Sequence, residues 1–336
     1  MKVNRLGRTG LKVSEVCLGT MTFGGPADEA TSFAIMDLAD AAGVNFIDTA
    51  DVYPLGAGLD RVGATEEIVG RWIKSRGARE RIVLATKARG RMGPNPGDEG
   101  LSRKHLMKAV EDSLRRLQTD HIDLYQVHSP DPDTPIEETL GTLTEMVRRG
   151  YVRYIGCSNY PAWQLAEALW ASDKRGLARF DSAQPRYNLL FRMIEDELVP
   201  LCRSQGVGII AYNPLAGGML TGRYKERIQA EGNRFAMTGG SGDLYRRRYW
   251  NEAVFAAVDA LAKHLEPRGK SLTHAALAWV LAQPGVSSAI VGASRPEQLE
   301  DSLKALEMTL EPEELAVLGE AWYSLPKERD PAVARR

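Results

Sequence analysis

The sequence has little cysteine and no long apolar run. Its three cysteines, Cys17, Cys157 and Cys202, show neither CxxC nor Cys/His spacing, which argues against a disulfide framework and a structural zinc site. The amino terminus lacks the apolar stretch of a signal peptide, and no run approaches the roughly 18 apolar residues that cross a bilayer. We therefore expect a cytoplasmic protein in a reducing compartment, with no membrane partner.

The sequence also lacks an excess of charge of either sign. The chain has 43 Lys and Arg against 44 Asp and Glu, a formal net charge of -1 at pH 7. Such a balance gives no overall field that would attract nucleic acid, so any charged ligand must be held locally. Hydrophobic residues make up 43% and charged residues 26% of the chain, which is ordinary globular usage and indicates a folded protein with a large core.

Eight short runs rich in β-branched residues alternate with amphipathic helical segments. The helical pattern is clear from Lys104, where Leu106, Val110, Leu114 and Leu117 recur at intervals of three to four residues. This alternation implies parallel strands joined by helices. The eight runs are VCLGTM from Val16, NFID from Asn45, IVLATK from Ile82, IDLYQVH from Ile122, VRYIGCS from Val152, FDSAQ from Phe180, VGIIAY from Val207 and SSAIVG from Ser287.

Parallel strands joined by helices form either an open doubly wound sheet or a closed barrel, and eight units favour the barrel. No GxGxxG follows the first run, which argues against the open dinucleotide-binding sheet. The segment KVNRLGRTGLKV predicts a hairpin around Arg8-Thr9-Gly10. We predict an α/β fold, a (β/α)8 TIM barrel with this N-terminal β-hairpin at the barrel bottom, as one domain over residues 1–336.

Long polar or Gly/Pro-rich stretches follow three of the strands. They begin at Arg89 and Ser129, and a third extends from Asn213 to about Trp250. Loops after barrel strands gather at the C-terminal face, where active sites are built, so this extra length suggests a substrate lid. A simple surface insertion is the alternative.

Four polar or ionisable side chains stand at the ends of three predicted strands. Asp48 and Tyr53 lie in NFIDTADVY, Lys87 ends LATK, and His128 ends LYQVH. Residues at the ends of barrel strands point towards the barrel mouth, so these four groups can meet there. Each alone is explained by capping, packing or a satisfied polar contact, but their coincidence indicates an active site.

In order, spacing and strand position these four residues match the tetrad of the aldo-keto reductase superfamily, which the sequence resembles over nearly its whole length. Within it, the chain is most similar to bacterial branches that include sugar-modifying reductases and relatives of potassium-channel β subunits. The segments that carry the resemblance are LGRTGLKVSEVCLGTMTFG, DTADVY, GCSNY, AQPRYNLL, AYNPLAGGMLTGRY and GASRPEQLED.

The resemblance implies an NADPH-dependent oxidoreductase that reduces an aldehyde or ketone to an alcohol. Tyrosine has an ordinary pKa near 10, and the ammonium of Lys87 would lower it by favouring the phenolate. Asp48 would keep that ammonium charged and oriented. Tyr53 would then protonate the developing alkoxide as general acid while His128 binds the carbonyl oxygen, with no metal required.

The resemblance also implies cofactor contacts in three groups. The anion site at Ser294 and Arg295 favours NADPH over NADH, although NADH stays possible. Asp301 and Ser302 replace the Glu-Asn that many relatives have beside the adenine, and Met21 replaces an aromatic of some reductases. The contacts are Thr20, Met21, Asp48, Ser158, Asn159, Gln184 and Tyr212 at the nicotinamide, Asn213, Pro214, Leu215, Gly217 and Arg223 at the pyrophosphate, and Gly292, Ser294, Arg295, Gln298, Asp301 and Ser302 at the adenosine.

Other functions remain open from the sequence. A nicotinamide-binding, redox-sensing regulatory subunit would keep the same site, and an aldolase or isomerase could use Lys87 as a Schiff-base lysine. For a reductase, the expected partner is a small-molecule carbonyl such as a keto-sugar or sugar aldehyde, while a small aromatic or aliphatic aldehyde fits almost as well.

The aromatic side chains Trp163, Tyr224, Tyr245, Tyr249 and Trp250 either frame a pocket or pack in the core or lid. The sequence does not distinguish a monomer from a homo-oligomer.

Overall fold

The computed structural model describes residues 1–224, 226–228, 234–237 and 240–327. These residues form two compact units. The first unit comprises Met1–Pro185, Ile194–Ile210 and Pro284–Leu299, and the second comprises Arg186–Met193, Ala211–Gln283 and Glu300–Arg336, as far as these are described.

The first unit is built on a closed barrel of eight parallel strands, which confirms the predicted barrel. The last strand pairs with the first, so that Ile290 lies beside Cys17. Each of the eight predicted runs coincides with one strand, although β5 and β10 each extend one residue beyond their run. The barrel strands are β3 (Val16–Gly19), β4 (Phe46–Asp48), β5 (Val83–Ala88), β6 (Ile122–Val127), β7 (Val152–Ser158), β8 (Ser182–Gln184), β9 (Gly208–Ala211) and β10 (Val286–Gly292).

Helices follow the strands in the alternating order that the sequence predicts. The segment from Lys104 forms a helix because Ser102 caps its first turn, accepting a 3.3 Å hydrogen bond from the amide of His105. Its apolar stripe, including Leu106 and Val110, is buried. The helices are α1 (Glu29–Ala41), α2 (Ala64–Arg76), α3 (Arg103–Leu117), α4 (Ile136–Arg149), α5 (Ala162–Arg175), α6 (Leu198–Gln205), α7 (Gly240–Tyr249), α8 (Glu252–Leu265), α9 (Leu272–Leu281), α10 (Pro296–Leu303) and α11 (Pro312–Tyr323).

The predicted N-terminal hairpin is present as the antiparallel pair β1 (Val3–Arg5) and β2 (Lys12–Ser14). Leu6 and Val13 of this hairpin are fully buried in one apolar cluster with the strand residues Phe46 and Leu124. Gly7, at the turn, has a φ of 57°, and a Cβ there would overlap the carbonyl oxygen of Gly206. The hairpin therefore extends the core of the barrel, and the turn requires glycine.

The second unit contains α7, α8, α9 and α11, together with a short 3-10 helix at Ala216–Thr221. The long stretch after β9 is therefore partly helical in its described residues. Aromatic side chains pack beside α7, with ring centroids 5.5 Å apart for Tyr224 and Trp250 and 5.1 Å apart for Trp250 and Phe255. Across both units, none of the described helices is long and apolar enough to cross a membrane.

Candidate active site

The four residues of the predicted tetrad lie together at the carboxyl ends of neighbouring strands. Asp48 is the last residue of β4, Lys87 is the second-to-last residue of β5, and His128 directly follows β6. Tyr53 lies in the segment after β4, where its amide donates to Ala50 at 3.2 Å. Because β4, β5 and β6 are adjacent and parallel, their ends meet on one side of the barrel.

Lys87 and Asp48 form a buried ion pair. The Lys87 ammonium donates to Oδ2 of Asp48 and, at 2.9 Å, to the carbonyl oxygen of Thr49. The two side chains are only 1% and 4% exposed. Burial is the largest single influence and lowers the pKa of Lys87, but the Asp48 carboxylate, with smaller contributions from Tyr53 and Cys17, outweighs it, so that the pKa is raised. The lysine is therefore a fixed cation at neutral pH.

Two glutamines complete the surroundings of the Asp48 carboxylate. Gln126 and Gln184 donate to its Oδ1 atom at 3.0 Å and 2.9 Å, and Gln184 also donates to Oε1 of Gln126 at 3.1 Å. Sequence reasoning had not identified Gln126. Gln126 is fully buried in β6, and it could have been found from the sequence as an amide two residues before His128, a spacing that places both side chains on the same side of an extended chain. These bonds offset the cost of burying the carboxylate.

Tyr53 and His128 lie close to this ion pair. The Lys87 ammonium is 5.2 Å from the ring centroid of Tyr53, and the Tyr53 and His128 rings pack edge to face with centroids 5.8 Å apart. Although His128 is partly exposed as a residue, burial of its ring, with the charges of Lys87 and Arg89, lowers its pKa to about 3. The imidazole is neutral at neutral pH and can donate one N–H hydrogen bond.

Two residues after β3 line the same end of the barrel. The hydroxyl of Thr20 donates to the backbone carbonyl oxygen of Asp48 at 3.0 Å, and Thr20 is fully buried. Met21 is partly buried, and its carbonyl oxygen accepts from Leu55 at 3.1 Å. These bonds hold the end of β3 against the segment that carries Tyr53.

Ser158, Asn159 and Gln184 form one hydrogen-bonded set at the ends of β7 and β8. The Ser158 hydroxyl donates to the carbonyl oxygen of Gln184 at 2.9 Å. The Asn159 amide nitrogen donates to the carbonyl oxygen of His128 at 2.9 Å and to Ser158 at 3.1 Å. Since the amide nitrogens of Asn159 and Gln184 bind protein oxygens, their amide oxygens are the atoms suited to accept the N–H groups of a carboxamide.

The turn after β10 carries the residues predicted at the adenosine phosphate. Gly292 ends the strand and α10 begins at Pro296. The amide and hydroxyl of Ser294 both donate to Oε1 of Gln298, at 2.8 Å and 3.1 Å. Arg295 is exposed and forms no ion pair with any residue that the structure describes. An uncommitted guanidinium beside a helix N-terminus suits an anion.

The predicted pyrophosphate segment lies in the second unit. The segment begins at Tyr212 and Asn213, passes through Pro214 and Leu215, and continues to Gly217. Oδ1 of Asn213 accepts from the amide of Gly217 at 2.6 Å, so this amide already serves the fold of the loop.

Three other residues of the second unit that were predicted to contact the cofactor interact with other residues of the protein or are buried. Arg223 donates to the hydroxyl of Tyr224 at 2.8 Å. Asp301 lies 3.1 Å from Nε2 of His274, and Ser302 is 6% exposed.

The aromatic candidates divide by burial. Tyr224, Tyr245 and Tyr249 are 7%, 7% and 1% exposed, and each packs against another aromatic ring. Trp163 on α5 is 62% exposed. The buried rings therefore serve packing in the second unit. Within the described residues, no group of three or more His, Cys, Asp and Glu side chains is arranged to hold a metal ion.

Comparison with known proteins agrees with this geometry. Residues 15–322 match the model of the aldo/keto reductase family. The chain is 41% identical to the uncharacterized oxidoreductase YrpG of Bacillus subtilis over 325 residues, which cover 95% of each chain. It is 36% identical to a probable voltage-gated potassium channel subunit beta of Arabidopsis thaliana, over 92% of each chain. It is 33% identical to the versiconal hemiacetal acetate reductase of Aspergillus parasiticus, over 98% of this chain and 99% of the relative.

A tetrad at the mouth of a closed barrel and a match over almost the whole sequence lead to one assignment. The chain belongs to the aldo/keto reductase family of oxidoreductases.

Proposed function

We propose that the protein reduces an aldehyde or ketone to an alcohol with NADPH, and that the whole chain acts as one domain for this reaction. The observation that carries the proposal is the buried Lys87 ammonium, bonded to Asp48 and 5.2 Å from the Tyr53 ring. A fixed positive charge at this point makes loss of the Tyr53 hydroxyl proton easier. Tyr53 is thereby suited to give its proton to a developing alkoxide.

His128 complements this proton donor. With a pKa lowered to about 3, the imidazole stays neutral and offers an N–H donor to the carbonyl oxygen of the substrate. A neutral donor polarises the carbonyl without competing with Tyr53 as the acid. When bound, the reduced nicotinamide supplies the hydride that reaches the carbonyl carbon.

The chemistry of the side chains fits a dinucleotide. Ser158, Asn159 and Gln184 of the first unit present hydroxyl and amide oxygen atoms for a carboxamide. The second unit, taken by itself, offers the ring of Tyr212 as an aromatic face on which nicotinamide can stack. Arg295 offers a cation to a phosphate on the adenosine, the group that separates NADPH from NADH, and the Ser294 hydroxyl can donate to that phosphate once it releases Gln298. This set favours NADPH, and the family match over residues 15–322 supports a nicotinamide cofactor in general.

A hydroxylated carbonyl compound, such as a keto-sugar or sugar aldehyde, is the substrate class that we infer. The polar loop after β5 supports it, because its Asn95 side chain, which donates to Oδ2 of Asp98 at 2.9 Å, is exposed and presents a polar amide to solvent. A small aromatic or aliphatic aldehyde is the comparison substrate that tests this inference.

The test is NADPH oxidation, followed by absorbance, for wild type and Tyr53→Phe against aldehydes, aldoses, keto-sugars and quinones, with NADH in parallel. Loss of the proton donor is expected to lower turnover by about 10²–10⁴-fold and leave NADPH binding unchanged. Tyr323→Phe, at a tyrosine that is 62% exposed, is the matched control and should behave as wild type. Undiminished turnover by Tyr53→Phe would refute the mechanism.

A redox-sensing regulatory subunit is the second candidate, favoured by the likeness to plant proteins named as probable voltage-gated potassium channel subunits beta. It predicts tight NADPH binding with little turnover across the substrate panel. It also predicts a stable complex with another protein whose affinity differs between the oxidised and reduced cofactor.

A Schiff-base mechanism at Lys87 is disfavoured by the site. A lysine that attacks a carbonyl must be neutral, whereas the ion pair with Asp48 raises the pKa of Lys87. Borohydride should therefore trap no substrate adduct on this residue.

A further inference from the structure

The backbone from Asn213 to Gly218, here called the phosphate loop, adopts an unusual conformation. Four of its residues have positive φ, namely 62° at Asn213, 51° at Ala216, 71° at Gly217 and 97° at Gly218. Glycine accepts such angles readily, but Asn213 and Ala216 carry a Cβ and adopt them only when other contacts hold them. The loop therefore depends on its surroundings for its shape.

Asn213 is the residue through which the loop is held. Its Oδ1 accepts from the amide of Gly217 at 2.6 Å, and its backbone oxygen accepts from Ala216 at 3.0 Å and from Nδ2 of Asn188 at 3.0 Å. Its remaining polar group, the side-chain nitrogen, donates to the hydroxyl of Tyr249 at 3.0 Å. Every one of these groups of Asn213 thus has a partner inside the second unit.

The Tyr249 hydroxyl accepts a hydrogen bond from a second side-chain amide. Nδ2 of Asn188 donates to it at 3.1 Å, while Oδ1 of Asn188 accepts from the amide of Leu190 at 2.9 Å. Backbone N–H groups bind the amide oxygens of Asn188 and Asn213, so both side-chain nitrogens must face Tyr249. The tyrosine oxygen is an acceptor shared by the two asparagines.

Two tyrosines of α7 contact the loop in different ways. The ring of Tyr245 packs on Gly217, where an added Cβ would lie 2.8 Å from the ring, and its hydroxyl bonds to Arg234 at 3.2 Å. Tyr249 is 1% exposed and reaches the loop through its hydroxyl. The hydroxyl of Tyr245 therefore has no part in holding Asn213, which makes it a matched control for Tyr249.

We propose that Tyr249 is a positioning residue for the dinucleotide, whose hydroxyl, shared by Asn188 and Asn213, holds the phosphate loop in the shape that receives the diphosphate. This inference rests on the proposed function, because it takes the loop as the diphosphate site. Without the hydroxyl, the Asn213 side chain can rotate and the positive-φ backbone relaxes before the ligand arrives. Binding must then restore the shape, which lowers affinity for ligands that contact the loop.

The test compares two ligands by calorimetry at a temperature well below unfolding. NADP+ contains the diphosphate, whereas adenosine 2′-monophosphate carries the adenosine phosphate without any part of the diphosphate. Tyr249→Phe is expected to weaken NADP+ by about tenfold and leave the monophosphate unchanged. Tyr245→Phe should leave both affinities unchanged.

Asn188→Asp provides a second route to the same prediction, because it keeps the acceptor for Leu190 and removes the Nδ2 donor to both Tyr249 and the carbonyl oxygen of Asn213. It should weaken NADP+ at least as much as Tyr249→Phe does, and adding Tyr249→Phe to it should cause little further loss. Unchanged NADP+ affinity in Tyr249→Phe, or an equal loss for both ligands, would overturn the inference while the proposed function stands. A wild type that binds neither NADP+ nor NAD+ would instead overturn the proposed function and this inference with it.

Discussion

Two buried aspartates, three residues apart, have opposite surroundings. Asp48 accepts hydrogen bonds from Lys87, Gln126 and Gln184. Asp51 is fully buried, and apart from a contact with the backbone amide of Val52 its carboxyl oxygens accept no hydrogen bond from any residue that the structure describes. Burial, and next the carboxylate of Glu66, raise the pKa of Asp51 well above its ordinary value. Asp48 is thus surrounded by hydrogen-bond donors and a cation, whereas the surroundings of Asp51 disfavour its charged form.

Asp51 therefore makes stability depend on pH. The unfolded chain loses the Asp51 proton near pH 3.8, whereas the folded chain keeps it to a higher pH. Over that interval the folded state binds more protons, so the contribution of Asp51 to stability falls as pH rises. Asparagine cannot ionise. The stability of Asp51→Asn, measured relative to wild type, should therefore rise from about pH 5 to about pH 8.

Urea unfolding at the two pH values measures this difference, and any cost of fitting the amide cancels because it is the same at both. The exposed Asp60→Asn variant is the control and should show no such trend. A stability difference for Asp51→Asn that is constant or shrinks with rising pH would contradict a neutral Asp51.

At the residue scale, the sequence predicted the charged groups better than the groups that support them. Asp48, Lys87 and His128 were predicted because three polar or ionisable groups coincide at the ends of successive strands, although each alone has a structural explanation. Gln126 and Asp51 were not, since a glutamine inside a strand and a second acid in DTAD gain meaning only from their neighbours in space. The two-amide contact of Tyr249 spans 61 residues to Asn188 and leaves no pattern in the sequence.

The elements of the first unit were predictable because their signals are local. Each barrel strand lies within a β-branched run or extends no more than one residue beyond it, and the hairpin follows from turn residues at Arg8 and Gly10. The basic run Arg246 to Arg248 was interpreted as a solvated helical face, but the start of α7 was not predicted, because its sequence GSGDLYRRRY begins with two glycines among its first three residues and lacks a clear apolar stripe. Its buried tyrosines, Tyr245 and Tyr249, are explained by tertiary packing, which overrides that weak propensity.

Close helix packing in the first unit depends on one glycine. Gly70 lies inside α2, and a Cβ there would overlap the backbone of Arg116 and Leu117 on α3. Gly70→Ala should force the helices apart and cost about 1–3 kcal/mol of unfolding free energy. Denaturant unfolding measures this cost.

The control is Gly141→Ala inside α4, where a Cβ would meet nothing within 4 Å. With no clash, the higher helix propensity of alanine should stabilise the protein by about 0.5–1 kcal/mol. The two identical substitutions should therefore have effects of opposite sign. Similar effects at both positions would show that α2 and α3 do not pack as closely as the structure has them.

At the scale of the whole molecule, the net charge of -1 leaves binding of an anionic cofactor to local groups. Arg295, exposed at the start of α10, is the group that we propose for the phosphate of NADPH. A ligand that binds only the folded chain stabilises it, by about 2.7 kcal/mol when its concentration is 100 times Kd. Thermal unfolding of the entire protein can therefore report on this one side chain.

Arg295→Ala should remove a charge-assisted hydrogen bond and weaken NADP+ by about tenfold, so that a given NADP+ concentration raises Tm less than in wild type. NAD+ lacks the adenosine phosphate, and its smaller effect on Tm should be unchanged. Arg153→Ala, at another exposed arginine, should alter neither shift. If Arg295→Ala reduced the NADP+ and NAD+ shifts equally, Arg295 would support the adenosine site in general, and the preference for NADPH would have to come from other residues.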